Sequence, residues 1–208
     1  GDVYHCDSLS LEGKVIFSIT SRYLSTPMEI SQGGGIFRSA NIPYNSIDDK
    51  EIKKCNEQVL KGFGLKNGVA HSEYIKCNED GKIYFLETSS RVGGAHLAEM
   101  IDAASDVNLW KEWATIENAK AKGLSYKLPK VKKEYAGIVL TLSKYEHPDL
   151  SAFNDEEVCF NVPLKYHAGL IVKSPKHERV LELLEDYATR LNNDFATVVD
   201  AKKVDKFL

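Results

Sequence analysis

The sequence predicts an α+β fold, an antiparallel sheet with flanking helices, followed by a small α+β C-terminal domain. Three observations predict it. β-prone runs arrive as hairpins rather than alternating singly with helices. Helical periodicities follow the hairpins instead of separating each strand from the next. A lysine-rich stretch with one proline, "GLSYKLPKVKKEY" (123–135), then divides two such groups. We therefore divide the chain into 1–122, a linker at 123–135, and 136–208.

The first hairpin is "VYHCDSLSLEGKVIFSI" and the second "AHSEYIKCNEDGKIYFLE". Each has two β-prone runs around a turn ending in Gly-Lys, so strands are expected at 2–8, 14–20, 69–77 and 82–88. Gly13 and Gly81 suit the left-handed position that closes a three-residue loop. Between the hairpins, "STPMEISQGGGIFRSANIP" (25–43) reads as a long irregular insert. A helix is expected at 48–62, capped by Ser46 with Asp49 three residues on, and with Ile52, Cys55, Val59 and Phe63 on one face. Further helices are expected at 94–104 and 107–121, the latter with Leu109, Trp113 and Ile116 as its buried stripe. Beyond the linker come strands at 136–142, 156–162 and 167–173. A last helix begins at Pro175 after Ser174, with Val180, Leu184, Tyr187 and Leu191 along one face.

The totals exclude several classes. A formal net charge of −3 supplies no basic footprint for nucleic acid. No apolar run is long enough to cross a bilayer, which argues against a membrane partner. Cys6, Cys55, Cys77 and Cys159 lie far apart with no C-x-x-C pair, so neither a zinc site nor a disulfide framework is indicated and a reducing cytoplasm is the simplest setting. The chain opens on Gly1 rather than Met and runs directly into a strand, as a processed product or a fragment of something longer would.

The stretch that carries chemistry is "HSEYIKCNEDGKIYFLETSSRVGG" (71–94), with two glutamates in β-prone runs. If Glu79, Asp80 and Gly81 form the loop, Asn78 pairs with Lys82. Glu73 then faces Glu87, His71 faces Ser89, Tyr74 faces Leu86 and Ile75 faces Phe85. One face would hold Ile75, Ile83 and Phe85 near the turn and His71, Glu73, Glu87 and Ser89 at the open end. Opposed like charges destabilise a sheet unless something compensates. A shared proton, a bridging Arg91 or a divalent cation would each do so. Two glutamates and a serine are hard oxygen ligands that suit magnesium, which completes its shell with water and phosphate. The competing reading is a slipped register that turns both glutamates to solvent, and the apolar neighbours count against it. The following "SSRVGGAH" hands a strand to a helix through an arginine and two glycines. Backbone N–H groups at Gly93 and Gly94 can receive phosphate oxygens there, and Arg91 can clamp them. His5 and Asp7, alternating on one strand, could line the same site, against the plain alternative of exposed strand polars.

These residues resemble the metal and phosphate signature of the ATP-grasp superfamily: Glu73 followed by "ETSSRVGG", where the usual form is Glu-x-Asn-x-Arg. "VAHSEYI", "RVGGAHLAEMIDAASDVNLWKEWATIENA" and "HAGLIVKS" resemble its carboxylate–amine ligases. The resemblance covers most of the chain. It implies Glu73 and Glu87 as ligands of Mg2+, with Mn2+ as a substitute, and Ser89 in the place of the usual asparagine. It implies Arg91 at the transferred phosphate, ATP as the cofactor, and small-molecule carboxylate and amine substrates. The "SQGGG" insert would lie near the substrate, with Arg38 as a carboxylate partner. The N-terminal half, with its ATP-holding lysines, would precede Gly1, so the chain reads as the second ATP-grasp subdomain plus a C-terminal domain, inactive as an isolated fragment. Self-association into a homo-oligomer is compatible with all of this.

Other motifs carry less. His96 opens a helix and His167 a strand, where packing or capping competes with ligand contact. Gly33 to Gly35 lack the Lys-Ser/Thr of a P-loop. The function class opposed to a ligase is a non-catalytic ATP-grasp-derived binding or assembly domain, which would have no reason to retain Glu73, Glu87 and Arg91 together.

Overall fold

The structure, a computed structural model, describes residues 1–25 and 35–197. Eight strands form one antiparallel sheet: β1 Asp2–Leu11, β2 Lys14–Tyr23, β3 Phe37–Asn41, β4 Gly68–Lys76, β5 Ile83–Ser89, β6 Tyr135–Leu142, β7 Val158–Asn161 and β8 His167–Ser174. Their order is β5-β4-β1-β2-β3-β6-β8-β7. Among the described residues, four helices flank it: α1 Ile47–Gly62, α2 Leu97–Ser105, α3 Leu109–Ala121 and α4 His177–Asp194. The predicted α+β class with an antiparallel sheet holds. The sheet runs unbroken across the 123–135 segment, because β3 pairs with β6.

Alternation along each strand sorts the core into two sides. On one side Leu9, Phe17, Ile19 and Val69 meet Leu97, Met100, Ile101, Leu109 and Ile116 of α2 and α3. On the other, Tyr4, Cys6 and Tyr74 pack on Ile52 of α1, while Ala40, Val139, Leu170 and Val172 pack on Val180, Leu184, Tyr187 and Leu191 of α4. The α4 stripe is the one its periodicity gave. On α1, Ser46 caps as expected, its Oγ accepting from the Asp49 N–H at 3.2 Å. Phe63 departs from expectation and is exposed, and the buried row is Ile52, Asn56 and Leu60.

Several local expectations are corrected. The β1–β2 turn is a two-residue loop, with Glu12 and Gly13 both at positive φ (52° and 77°) as a type I′ turn requires. The second hairpin closes on Cys77 and Lys82, whose Cys77 N–H donates to the Lys82 carbonyl at 2.9 Å, so its loop holds four residues rather than three. A bulge beside Glu73 then absorbs the extra residue. Tyr74 therefore faces Phe85 and Ile75 faces Tyr84, one residue off the expected pairing, while Glu73↔Glu87 and His71↔Ser89 stand as expected. Phe85 consequently lies against Tyr74 and Phe63 on the α1 side and does not wall the glutamates. Within the 25–43 insert, residues 37–41 form β3, a strand too short and polar to announce itself. The "SQGGG" segment lies outside the described residues except for Gly35. Helix α2 begins at Leu97, not 94, because Ala95 and His96 take left-handed backbone (φ 50° and 58°). On α3, Trp113 is only partly buried, and Glu112 and Ala119 complete the stripe of Leu109 and Ile116. Helix α4 starts two residues after Pro175, and Ser174 Oγ accepts from Lys176 N–H instead of capping the helix.

Candidate functional site

Three strand pairings assemble the site. Glu73 is opposite His5 on one neighbour and opposite Glu87 on the other, and His71 is opposite Asp7 and Ser89. Tyr23 and Ser39 face each other on β2 and β3 on the same side of the sheet. The α2–α3 side is thus apolar around Leu9 and Val69 and polar at the end where β1 begins.

A chain of hydrogen bonds runs through this polar end. His5 Nδ1 lies 2.6 Å from Asp7 Oδ2, and His71 Nδ1 lies 2.8 Å from Asp7 Oδ1. His5 Nε2 is 2.7 Å from Ser39 Oγ. The Tyr23 hydroxyl donates to Glu73 Oε1 at 2.7 Å, and His71 Nε2 is 3.5 Å from that same oxygen. His5, Asp7 and His71 are all buried, and their ligand-capable atoms lie within 4.8 Å of one another. Burial alone would push the Asp7 carboxyl up, but the charges of His71 and His5 and their hydrogen bonds carry it well below the usual carboxylate range. Burial likewise works against a charged His71, and is outweighed by Asp7 and Glu73, which raise the imidazole to about 10. The His71 hydrogen bond and, after it, the Tyr23 hydroxyl keep Glu73 below its ordinary value although burial opposes them. Tyr23 itself is held neutral by burial and by the Glu73 charge, and stays a donor.

The compensation for the half-buried Glu73 is therefore His71 and Tyr23, not a bridging arginine. Arg91 is exposed and its Nη1 donates to the Val92 carbonyl at 3.0 Å. Glu87 is exposed on β5 and makes no hydrogen bond or ion pair among the described residues. Ser89 is half-buried opposite His71. Gly93 sits directly behind the network: a Cβ there would lie 3.0 Å from both Asp7 Oδ1 and His71 Nδ1. Gly94 is exposed, with open space where a side chain would go. The Arg91–Gly94 turn is thus seated on the same residues that hold Glu73.

Among the predicted site residues, His5 is completely buried within the network, opposite Glu73 on the neighbouring strand and packed on Tyr23, and Arg38 alone is placed elsewhere. Arg38 points to the α4 side, where its Nη1 donates to Glu185 and its Nη2 lies 3.4 Å from Ser25 Oγ. His96 and His167 stay apart from the site, the His96 ring tilted against Phe160 with centroids 5.5 Å apart and His167 hydrogen bonded to the Lys165 carbonyl. Tyr23 was missed because Ser21 and Arg22 break the apolar alternation at residue 20. The signal available was parity with His5 across the first hairpin.

No family model matches the sequence, and no curated protein matches it. Solved structures do match. The L-amino acid ligase of Bacillus licheniformis aligns over 96% of this chain and 52% of its own, at 16% identity and a TM-score of 0.65. The carboxyaminoimidazole ribonucleotide synthase of Aspergillus clavatus, solved with ATP, aligns over 91% and 50%, at 12% identity and 0.65. The biotin carboxylase domain of 2-oxoglutarate carboxylase from Hydrogenobacter thermophilus, solved with MgADP and bicarbonate, aligns over 91% and 45%, at 13% identity and 0.57. The chain spans about half the length of each of these. At these identities the likeness is one of fold alone.

Proposed function

We propose that the chain is the C-terminal part of an ATP-dependent carboxylate–amine ligase, comprising the second ATP-grasp subdomain (1–122), a linker (123–135) and a small C-terminal domain (136–208). The observation that carries this reading is the Glu73–Glu87 pair at the open end of the sheet, beside the Arg91–Gly94 turn. The donor set fits magnesium: Glu73 is kept ionised, Glu87 is exposed, and with Ser89 the donors are all oxygen. Mn2+ fits the same donors. A cation held by Glu73, Glu87 and Ser89 would offset the charge of the ATP phosphate oxygens.

The chain's own residues supply the rest. The Gly93 and Gly94 backbone N–H groups bind phosphate oxygens, and Arg91, fixed by nothing stronger than a neighbouring carbonyl, turns to the transferred phosphoryl group. A substrate carboxylate oxygen attacks the γ-phosphorus, forming an O–P bond as the bond to ADP breaks. An amine then attacks the acyl carbon, loses its proton and expels phosphate. No base is needed for the first step, since the carboxylate is already ionised. Amino acids, peptides and carbamoyl-type compounds all suit this chemistry, and the similarity to an amino acid ligase favours the first. The adenine and the remaining phosphate contacts belong to a segment preceding Gly1 in the same enzyme, acting in the cytoplasm.

The test uses the full-length protein and measures ADP release from Mg-ATP with pairs of amino acids. Glu87→Ala is expected to lower turnover by about two orders of magnitude. Turnover equal to wild type removes Glu87 from the mechanism, and an upstream coding sequence without an ATP-holding lysine removes the ligase reading for a single polypeptide.

A further inference from the structure

Glu73 is the better constrained of the two carboxylates, and the constraint is one-sided. The Tyr23 hydroxyl donates to Oε1 at 2.7 Å, and His71 Nε2 lies 3.5 Å from the same oxygen and 3.4 Å from the Tyr23 hydroxyl. Among the described residues, nothing donates to Oε2. Neither donor is free to move. Tyr23 is buried against Phe37 and His5, with ring centroids 5.8 and 4.8 Å away. The His71 ring is pinned through Nδ1 by Asp7 Oδ1 at 2.8 Å, and Asp7 is pinned in turn by His5 at 2.6 Å. His5 ends on Ser39 Oγ, which donates to the Arg22 carbonyl at 3.3 Å. Asp7–His71 joins β1 to β4 and Ser39–Arg22 joins β3 to β2, while Tyr23–Glu73 and His5–Ser39 each reach across an intervening strand, so the chain ties Glu73 to β1, β2 and β3.

Resting on the ligase reading, we propose that Tyr23 and His71 are positioning residues that occupy Oε1 of Glu73 and thereby present Oε2 alone to the divalent cation. A glutamate on a strand has three side-chain torsions, and an unrestrained carboxylate would rotate between one-oxygen and two-oxygen binding. Fixing one oxygen with a hydroxyl and a ring N–H restricts it to the one-oxygen mode, which leaves room in an octahedral shell for Glu87, water and phosphate. Outer-shell hydrogen bonds of this kind set ligand orientation and carry a 10–100-fold effect on affinity when removed. Gly93 extends the same device to the phosphate turn. Its missing side chain lets the turn seat on Asp7 and His71, so the carboxylate and the turn are referenced to one rigid group.

The experiment measures Mn2+ binding to the full-length protein by electron paramagnetic resonance in the presence of ATP, with Mg2+ activation of ADP release as the parallel readout. Tyr23→Phe removes one oxygen and keeps the ring. It is expected to weaken Mn2+ binding and raise the half-activating Mg2+ concentration about tenfold, with the ATP requirement at saturating Mg2+ unchanged. His71→Gln, which retains a donor but not the pinned ring, is expected to weaken binding by a smaller factor. Circular dichroism melting checks that each variant folds. Wild-type Mn2+ affinity in both variants, alongside its loss in Glu73→Gln, overturns the positioning role and leaves the ligase reading standing. Wild-type affinity in Glu73→Gln overturns both.

Discussion

Glu73 lies in a partly buried position that would ordinarily favour the protonated acid, and its charge survives because His71 and Tyr23 meet it on one oxygen. His71 can do this only because Asp7 stabilises its cation, so the three residues form a single electrostatic unit. A pH dependence follows for the metal-free protein. The folded-state value of His71, about 10, exceeds the ordinary 6.5, so its contribution to stability is complete below about 6.5 and is lost as pH rises through 10. Titration followed by NMR is expected to show the His71 ring signals flat from pH 5 to 8. A His71 midpoint near 6.5 would refute this. At this scale the sequence spoke clearly through parity along a strand. The facing pair Glu73–Glu87 and the Ser89–His71 pair followed from counting back from Gly81, whereas the partners of Glu73 outside its own hairpin did not. Asp7 and Tyr23 reach it through strand pairings that no local count reveals.

Local chemistry made most elements legible and misplaced their ends. Ser46 and Asp49 cap α1 reciprocally, Asp49 N–H bonding Ser46 Oγ and Asp49 Oδ2 accepting from the Asn45 N–H at 2.9 Å. Ser46→Ala is expected to cost about 1 kcal/mol, read as a lowered urea midpoint with an unchanged slope. An unchanged midpoint would show that the bond from Asp49 N–H to Ser46 Oγ contributes nothing to stability. The β4–β5 hairpin shows why a partly wrong turn can still yield a correct pair. The four-residue loop shifted the register by one, and the bulge beside Glu73 shifted it back, so the error is confined to Tyr74–Lys76 and their partners. The bulge lies between Glu73 and Tyr74, so the strand's irregularity begins directly beside the glutamate. Strand β3 stayed hidden because its five residues mix aromatic, basic and small polar side chains, and its identity comes from the two strands that enclose it. The start of α2 was misjudged for a different reason. Ala95 and His96 adopt left-handed backbone at a cost on the order of 1 kcal/mol each, which composition does not announce.

Across the whole molecule, the order β5-β4-β1-β2-β3-β6-β8-β7 sets two hairpins side by side and continues into the strands that follow the lysine-rich segment. The likeness to ligases and a carboxylase that extend about twice as far is likewise a property of this assembly, not of any short motif. The antiparallel class was legible because hairpins announce themselves. The β1–β4 and β3–β6 pairings were not, since each joins segments remote in sequence. That order places β5 at the rim, hydrogen bonded to β4 alone, while β4 is clasped on both sides. The two glutamates therefore sit on strands of unequal tenacity. Amide hydrogens of β5 are expected to exchange with solvent deuterium faster than those of β4, because the rim strand can peel away without unfolding the interior. A cation bridging Glu73 and Glu87 would staple that rim, slowing β5 exchange when Mg-nucleotide is added to the full-length protein and leaving β8 unaltered.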